Sequence, residues 1–191
     1  NIKINGKSLE IFDQVIYSKE SIYQNYSLNQ SERFTSSNNE SNQIIIMLGN
    51  QTCSRLNSDY LILKVLESYL SCGMSSALFK LFREKNGITY DVGVYNPIRK
   101  RNAPFLVYLS VSNKNALLAF EILSKLWKEL KFSNIPDQEI HLAKEKLKSS
   151  FLINNQSLDE NLLRKIQLIS YGVLLDSEEK SFAKIEVINA Q

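Results

Sequence analysis

Histidine and cysteine are scarce in this chain of 191 residues, and their scarcity excludes several kinds of metal site. The one histidine is His141, and the two cysteines are Cys53 and Cys72. A Cys/His zinc finger, a two-histidine protease site and an iron–sulfur cluster all need more of these ligands than the chain offers. Without a secretory context, the two cysteines are expected to be free, buried thiols that pack as small apolar groups.

Closely spaced glycines and long apolar runs are missing as well. The six glycines lie too far apart for the glycine-rich loops that bind dinucleotides or cradle phosphates. The longest fully apolar run, from Ile44 to Leu48, is far shorter than the roughly 20 residues of a membrane span, so no membrane partner is expected. A net charge of +3 does not favour nucleic acid as a partner.

The composition that remains is typical of a folded domain. Hydrophobic residues make up 43% of the chain and charged residues 23%, near the averages for globular proteins. An Asn-Gly pair at Asn5 predicts a β-hairpin near the start, and residues 29–43 are polar enough for a linker. We therefore expect an N-terminal hairpin and polar linker over residues 1–42 and the main domain over residues 43–191.

Hydrophobic periodicity predicts the elements of the main domain. Strands are expected at residues 44–48, as a buried strand, and at 88–95 and 105–111, as an antiparallel pair. Helices are expected at about residues 60–70, 75–85 and 113–130, after Pro136, and from Ser157. The inward face of the last helix is expected to carry Leu158, Leu162, Ile166 and Ile169.

This order of elements predicts an α+β fold. The expected architecture is a two-layer sandwich, in which helices pack on one face of a mixed or antiparallel sheet. Trp127 lies on the apolar stripe of a predicted helix, so it is expected to be largely buried between helix and sheet.

Several residues that could carry chemistry have simpler explanations. His141 lies one helical turn before Glu145, but two ligands are too few for a catalytic zinc, and a surface histidine is expected. Ser75 and Ser76 lie in no nucleophile elbow. The basic cluster Arg99–Arg101 falls at a predicted hairpin tip, where a solvated turn explains it more simply than a nucleic-acid contact does.

The most informative stretch is Leu70–Gly93, where a glycine-containing turn joins two helices and a second glycine leads into a strand. Arg83 falls in the last turn of the second helix, Gly87 permits the chain reversal, and Tyr90 lies near the start of the strand. The two side chains are therefore brought to the same end of the sheet. From the residues alone, a purely structural role is sufficient, with Arg83 serving the helix carbonyls and Tyr90 packing on the sheet.

This stretch resembles the C-terminal domain of the insulinase/pitrilysin family of zinc peptidases, which includes mitochondrial processing peptidase. That family has a Gly-x-x-Ser-x-Leu-Phe turn and helix, followed by Arg-Glu-x-x-Gly-x-x-Tyr and a strand. The motifs stand here as Gly73–Phe79 and Arg83–Tyr90. Ala77 replaces an arginine that is common in the family, residues 1–40 show no counterpart, and the family domain is expected to continue beyond Gln191.

The resemblance implies a division of labour between two halves. In this family, two similar domains or subunits enclose a chamber, and the N-terminal one holds zinc through an inverted His-x-x-Glu-His motif and a distal glutamate. With one histidine, this chain corresponds to the other half, so it would hold no metal or other cofactor, and zinc would belong to a partner domain or subunit. The expected partners are that half and a peptide substrate, and the chain could also associate with itself.

The resemblance also gives Arg83 and Tyr90 catalytic roles. In the family, the matching side chains reach across the chamber towards the scissile bond. The phenol would donate to the developing oxyanion, and the guanidinium would orient the substrate backbone. Two alternatives remain: an inert structural or binding homologue, like the core subunits of respiratory complexes, and a nucleic-acid module that uses Arg99–Arg101.

Overall fold

A computed structural model describes residues 42–132, 134–172 and 178–188 of the chain. The hairpin predicted near Asn5 and nearly all of the polar linker lie outside these residues. The strands are β1 (Gln43–Thr52), β2 (Thr89–Tyr95) and β3 (Ala103–Ser112). The helices are α1 (Tyr60–Ser71), α2 (Phe79–Lys85), α3 (Ala116–Phe132), α4 (Asp137–Gln156), α5 (Leu158–Ser170) and α6 (Glu178–Glu186). Within the described ranges, every helix is too short or too polar to cross a membrane.

The strands form one antiparallel sheet in the order β1-β3-β2, so β3 is central. Side chains alternate between the two faces of a strand. On one face of β3, Phe105, Val107, Leu109 and Val111 are buried. Ile46 on β1 and Val92 on β2 both pair with Leu109 and pack on the same core. The predicted α+β fold, with helices against one face of an antiparallel sheet, is confirmed.

The main core lies between this face and helices α1, α2 and α3. Leu70, Phe82 and Leu123, one from each helix, have no exposed surface. Burying a side chain of this size contributes about 1.5–3 kcal/mol to folding. Trp127 lies on α3 as predicted, with its ring centroid 6.5 Å from that of Phe105, but it is half-buried and not largely buried.

β1 is not the buried strand that its apolar run predicts. Ile45 and Met47 are 66% and 60% exposed, whereas Ile46 and Leu48 pack on the core. The prediction is wrong because β1 lies at an edge of the described sheet and helices cover only one of its faces. The strand also continues past Gly49. A Cβ atom at this position would overlap the carbonyl oxygen of Phe105, so the close approach of β1 and β3 requires glycine.

The helix after Ser157 forms as predicted, but its inward face is not the predicted one. The Ser157 hydroxyl caps α5 by accepting a hydrogen bond from the N–H of Glu160. Four apolar side chains are 54–82% exposed: Leu158, Leu162, Ile166 and Ile169. The helix contacts α4 through a different face, where Leu168 is buried and Arg164 stacks on Phe151. Periodicity shows which residues share a face and not which face another element covers.

Candidate functional site

Arg83 lies on α2, which is wound more widely than the sequence predicts. The apolar pattern favours an α-helix over residues 75–85, whereas Phe79–Lys85 is π-helical. A turn at Gly73, with φ at +75°, leads into this helix. In a π-helix each N–H bonds to the carbonyl five residues back, a rare arrangement that occurs frequently at functional sites.

The end of α2 turns sharply towards β2. Gly87 has φ at +58°, a left-handed conformation that glycine adopts without steric strain and that the sequence predicts here. The side-chain amide of Asn86 donates to the carbonyl oxygen of Leu81 across 2.7 Å, which satisfies one of the carbonyls left free at the helix end. This pair of residues ends the helix at the position that the Asn-Gly pattern predicts.

One backbone hydrogen bond joins the two elements that carry the candidate residues. The N–H of Ile88 donates to the carbonyl oxygen of Phe82 across 3.1 Å, and both of these side chains are buried in the core. Arg83 directly follows Phe82, and Tyr90 lies just beyond Ile88. The buried pair therefore anchors both candidate residues at one end of the sheet.

Tyr90 is the extra residue of a β-bulge in β2. Thr89 pairs with Val111 and Asp91 pairs with Ser110, so no residue of β3 is left to pair with Tyr90. The Thr89 hydroxyl lies 2.7 Å from the carbonyl oxygen of Asp91 and 3.0 Å from that of Ser110. It therefore links the residue after the bulge to the central strand. Bulges of this kind re-aim side chains and are over-represented next to active sites.

The bulge decides which way Tyr90 faces. Val92 and Val94 pack on the core, so strict alternation along β2 would place Tyr90 on the core face with them. The extra residue shifts the alternation by one position, and Tyr90 is 64% exposed. Within the described part of the chain, its hydroxyl forms no hydrogen bond with another residue.

Arg83 is exposed as well. Its Cζ lies 5.2 Å from the ring centroid of Phe79, a cation–π contact on the same helix. Glu84 and Asp91 are the carboxylates that a purely structural arginine would be expected to use, and Arg83 pairs with neither of them. This end of the domain thus exposes a guanidinium and a phenol, which are both hydrogen-bond donors.

Thr89 is a residue of this site that the sequence analysis missed. The alternation of Thr89–Tyr95 is typical of a regular strand, and nothing in that pattern marks a bulge. The available signal was a conflict: alternation from Val92 and Val94 puts Tyr90 on the core face, whereas the family motif implies an outward tyrosine. An extra residue next to Thr89 resolves the conflict.

The other candidate residues do not assemble into a catalytic centre. His141 is exposed, as predicted, and Glu145 pairs with Lys148, whose hydrogen bond and charge hold the pKa of that carboxyl below its usual range. Cys53 and Cys72 are free but half-buried, which differs from the predicted full burial. Burial raises the pKa of the Cys53 thiol, so it is not an activated nucleophile. The described residues contain no group of three potential metal ligands.

The basic cluster Arg99–Arg101 is an exposed turn between β2 and β3. The backbone N–H of Arg55 donates to the carbonyl oxygen of Arg99 across 3.0 Å, which fastens the loop after β1 to this turn. The turn lies beyond the C-terminal end of β2, whereas Tyr90 lies near its start.

Comparison with known proteins identifies the domain. Residues 10–147 match the peptidase M16 inactive domain. The chain belongs to this family. The predicted likeness to the zinc-free domain of a zinc peptidase is thereby confirmed, and the match starts well before Gln43, in residues for which the sequence showed no counterpart. The narrower likeness to mitochondrial processing peptidase stays a prediction.

Individual relatives of this M16 domain agree with the family match. It is 30% identical, over 128 residues, to a Rickettsia felis protein named an uncharacterized zinc protease, and this match covers 63% of the chain and 29% of that protein. The chain spans about a third of the length of the curated relatives it matches.

Solved structures share the fold of this M16 domain. A peptidase M16 inactive domain from Pseudomonas fluorescens matches with a TM-score of 0.69 and 19% identity, over 78% of this chain and 36% of that one. A chain of complex III2 from Candida albicans matches with a TM-score of 0.68 and 18% identity, over 80% of this chain and 38% of that one. At these identities, the likeness shows the fold alone.

Proposed function

We propose that this chain is the substrate-binding, zinc-free half of a zinc metalloendopeptidase, and that Arg83 and Tyr90 act on the substrate held by the other half. Membership of the M16 inactive-domain family and the likeness to a zinc protease support the general assignment. The observation that carries the specific one is the bulge, which turns Tyr90 out of the core at the end of the sheet where Arg83 is exposed.

In this proposal, zinc belongs to the partner half, because the described residues offer no cluster that could hold it. When bound there, it supplies an activated water and polarises the scissile carbonyl. Tyr90 contributes a phenol O–H that donates to the carbonyl oxygen as negative charge develops on it. Donors of this kind act because they are already in place when the charge forms, and losing one typically lowers the rate by about 10²–10³.

Arg83 has a positioning role in the same step. A guanidinium presents several N–H donors in a fixed plane, which suits the carbonyl oxygens of an extended peptide. Its contact with Phe79 restrains the side chain on α2, and the Ile88–Phe82 hydrogen bond ties α2 to β2. Rigid elements thereby hold Arg83, which would bind the substrate backbone, at a fixed place relative to Tyr90, which would donate to the oxyanion. Small errors in such placement lower the catalytic rate.

Reconstitution tests this proposal. The half with the His-x-x-Glu-His motif is to be sought upstream in the same polypeptide or in a neighbouring reading frame, produced together with this chain, and assayed on an unstructured fluorogenic peptide. Neither half alone should cleave the peptide, and the assembled pair should. A pair with the Arg83→Ala/Tyr90→Phe chain should assemble normally and lose activity; full activity of that pair would refute the roles proposed here.

A catalytically inert homologue is the second candidate, and the fold likeness to a chain of Candida albicans complex III2 favours considering it. Such a protein would keep the sheet and helices and would have no use for an outward tyrosine. Co-purification from the native organism separates the two candidates. Assembly into a complex whose partners lack the His-x-x-Glu-His motif would support the inert homologue.

A further inference from the structure

The face of the sheet that points away from the helices carries exposed apolar side chains. On β1, Ile45 and Met47 point to this face and are largely exposed. On β2, the bulge puts Tyr90 on the same face, because Val92 and Val94 pack on the core from the other side. The proposed catalytic tyrosine therefore lies at one end of an exposed, partly apolar surface.

Tyr108, on the central strand β3, lies in the middle of this face. Its row across the described sheet consists of Met47, Tyr108 and Gly93, one residue from each strand. A Cβ atom at Gly93 would lie 2.7 Å from the Tyr108 hydroxyl oxygen and 2.8 Å from its Cζ, so the phenol extends across β2 and fills the space above this glycine. Gly93 is buried although its row points outward, as expected beneath a ring. Glycine at position 93 thus allows the ring of Tyr108 to lie over β2.

The spacing along β2 relates this ring to the proposed catalytic residue. Gly93 follows Tyr90 by three positions, so the Tyr108 ring lies about 10 Å along the strand from Tyr90, at about 3.3 Å per residue. An extended substrate rises by the same amount per residue. A peptide that runs along β2 with its scissile carbonyl at Tyr90 would therefore bring the third residue from that bond over Tyr108.

The surroundings of Tyr108 favour an apolar side chain at that place. Its hydroxyl forms no hydrogen bond with any residue that the structure describes, and the neighbouring Met47 is exposed. Tyrosine and methionine are enriched at binding surfaces, where they bury a large apolar area. Among the residues of β1, β2 and β3 that point to this face, Asp91 is the only charged one, so a substrate side chain with negative charge would be repelled.

The size of this face fits one extended chain and not a second copy of the domain. The described sheet is three strands wide, which is about 10 Å, and its longest strands have ten residues, which span about 33 Å. Its area is thus on the order of 300 Å², whereas a stable interface between two proteins buries about 800 Å² on each partner. A peptide substrate is the occupant that matches both this size and the position of Tyr90.

We propose that Tyr108 is a specificity-determining residue of the peptidase, which binds an apolar side chain of the substrate three residues from the scissile bond. The substrates are extended peptides with an apolar, and not an acidic, residue at that position. This inference rests on the proposed function, because it takes Tyr90 as the residue beside the scissile carbonyl.

Cleavage of matched peptides by the reconstituted enzyme tests this specificity. The peptides carry Leu, Asn or Glu at the third residue before or after the bond, and kcat/KM is compared. On the side of the bond that lies over Tyr108, the Leu peptide should be cleaved about tenfold more efficiently than the Asn peptide, and the Glu peptide least efficiently. Equal cleavage of all the peptides would overturn the inference and leave the proposed function intact.

Variants assign the preference to this ring. Tyr108→Ala should remove most of the preference for Leu over Asn, and Tyr108→Phe, which keeps the ring, should retain it. Gly93→Ala should weaken the preference as well, because the added Cβ displaces the ring without removing it. Phe120→Ala, at an exposed aromatic residue of α3, is the matched control. A ratio of two peptides within one variant does not depend on the folded fraction. An unchanged ratio in both Tyr108→Ala and Gly93→Ala would overturn the assignment.

Photo-cross-linking tests the contact without activity. An apolar peptide that carries a benzophenone-bearing phenylalanine is irradiated with the purified chain, and the attached residues are mapped by mass spectrometry. Cross-links at Met47 and Tyr108 are expected. Their absence, or cross-links concentrated on α5, where Leu158 and Leu162 are also exposed, would overturn the inference. An inactive reconstituted pair whose chain still cross-links at Met47 and Tyr108 would refute the catalytic proposal and retain the binding surface.

Discussion

The guanidinium of Arg83 lies over the ring of Phe79, with its Cζ 5.2 Å from the ring centroid, and it pairs with no carboxylate among the described residues. The contact restrains the side chain from one face and leaves the N–H edge for other partners. An arginine that served only the local structure would be expected to pair with Glu84 or Asp91. The positioning role proposed for Arg83 requires an N–H edge that a substrate can reach, and this contact leaves it accessible.

Tyr90→Phe should lower kcat of the reconstituted enzyme about 10²–10³-fold, because it removes one donor to the oxyanion. The melting temperature should change little, since the ring is exposed and its hydroxyl has no partner in the described structure. Tyr95→Phe, a second exposed tyrosine of β2, is the matched control and should keep full activity. Equal kcat values for the two variants would show that Tyr90 has no catalytic role.

Arg83→Ala should impair binding and positioning of the peptide, with a higher KM and a lower kcat. Steady-state kinetics over a range of substrate concentrations separates the two effects. Lys85→Ala removes another exposed cation from the same helix and should leave both constants close to those of the wild type. If both variants lost the same activity, general charge and not the placement of Arg83 would be responsible.

Thr89→Val should lower kcat without removing any group that touches the substrate. The substitution keeps the shape of the side chain and deletes a hydroxyl that lies 2.7 Å and 3.0 Å from two carbonyl oxygens at the bulge. The free energy of unfolding should fall by about 0.5–1.5 kcal/mol, the usual contribution of one hydrogen bond. Thr89→Ser retains the hydroxyl and should restore kcat. Failure of serine to restore it would mean that the bulge does not depend on this hydroxyl.

Gly49→Ala should destabilise the domain by more than the roughly 1–3 kcal/mol typical of overpacked sites, because the added Cβ would overlap a backbone atom, the carbonyl oxygen of Phe105. Urea unfolding followed by circular dichroism measures the loss. Asn50→Ala, an exposed position on the same strand, should unfold close to the wild-type midpoint. Similar midpoints for both variants would show that β1 can move away from β3 at little cost.

The purified chain should bind no stoichiometric zinc. It has one histidine, and its described residues contain no group of three potential ligands, whereas a catalytic zinc site needs three protein ligands. Elemental analysis after extensive dialysis provides the measurement. One tightly bound zinc per chain would contradict the assignment of this chain to the zinc-free half.

The fold could be predicted where it depends on local pattern. The end of α1 at Ser71, the reversal at Gly87 and the alternation of β3 all follow from residues close together in the chain. The errors concern neighbours that are distant in sequence. Ile45 and Ile166 belong to apolar patterns that predict burial, and both are exposed because no described element covers them.

The candidate site was predictable in its residues and not in its geometry. The spacing from Arg83 through Gly87 to Tyr90 is enough to bring both side chains to one end of the sheet. In the π-helix and at the bulge, backbone groups bond to different partners from those of a regular helix or strand. At the bulge, the partner depends on the register between Thr89 and β3, which is distant in sequence. No local propensity of these residues marks either change.

The bulge also has a consequence for how this domain could change during evolution. Because Tyr90 is the one residue of β2 inserted between two successive pairs with β3, deleting its codon would leave Thr89 opposite Val111 and Asp91 opposite Ser110. The product would be a regular strand with every core side chain still facing inward, and without the phenol. One in-frame deletion would therefore remove the tyrosine with no compensating change in the sheet, which is a short route from the substrate-binding half proposed above to an inert domain of the same fold.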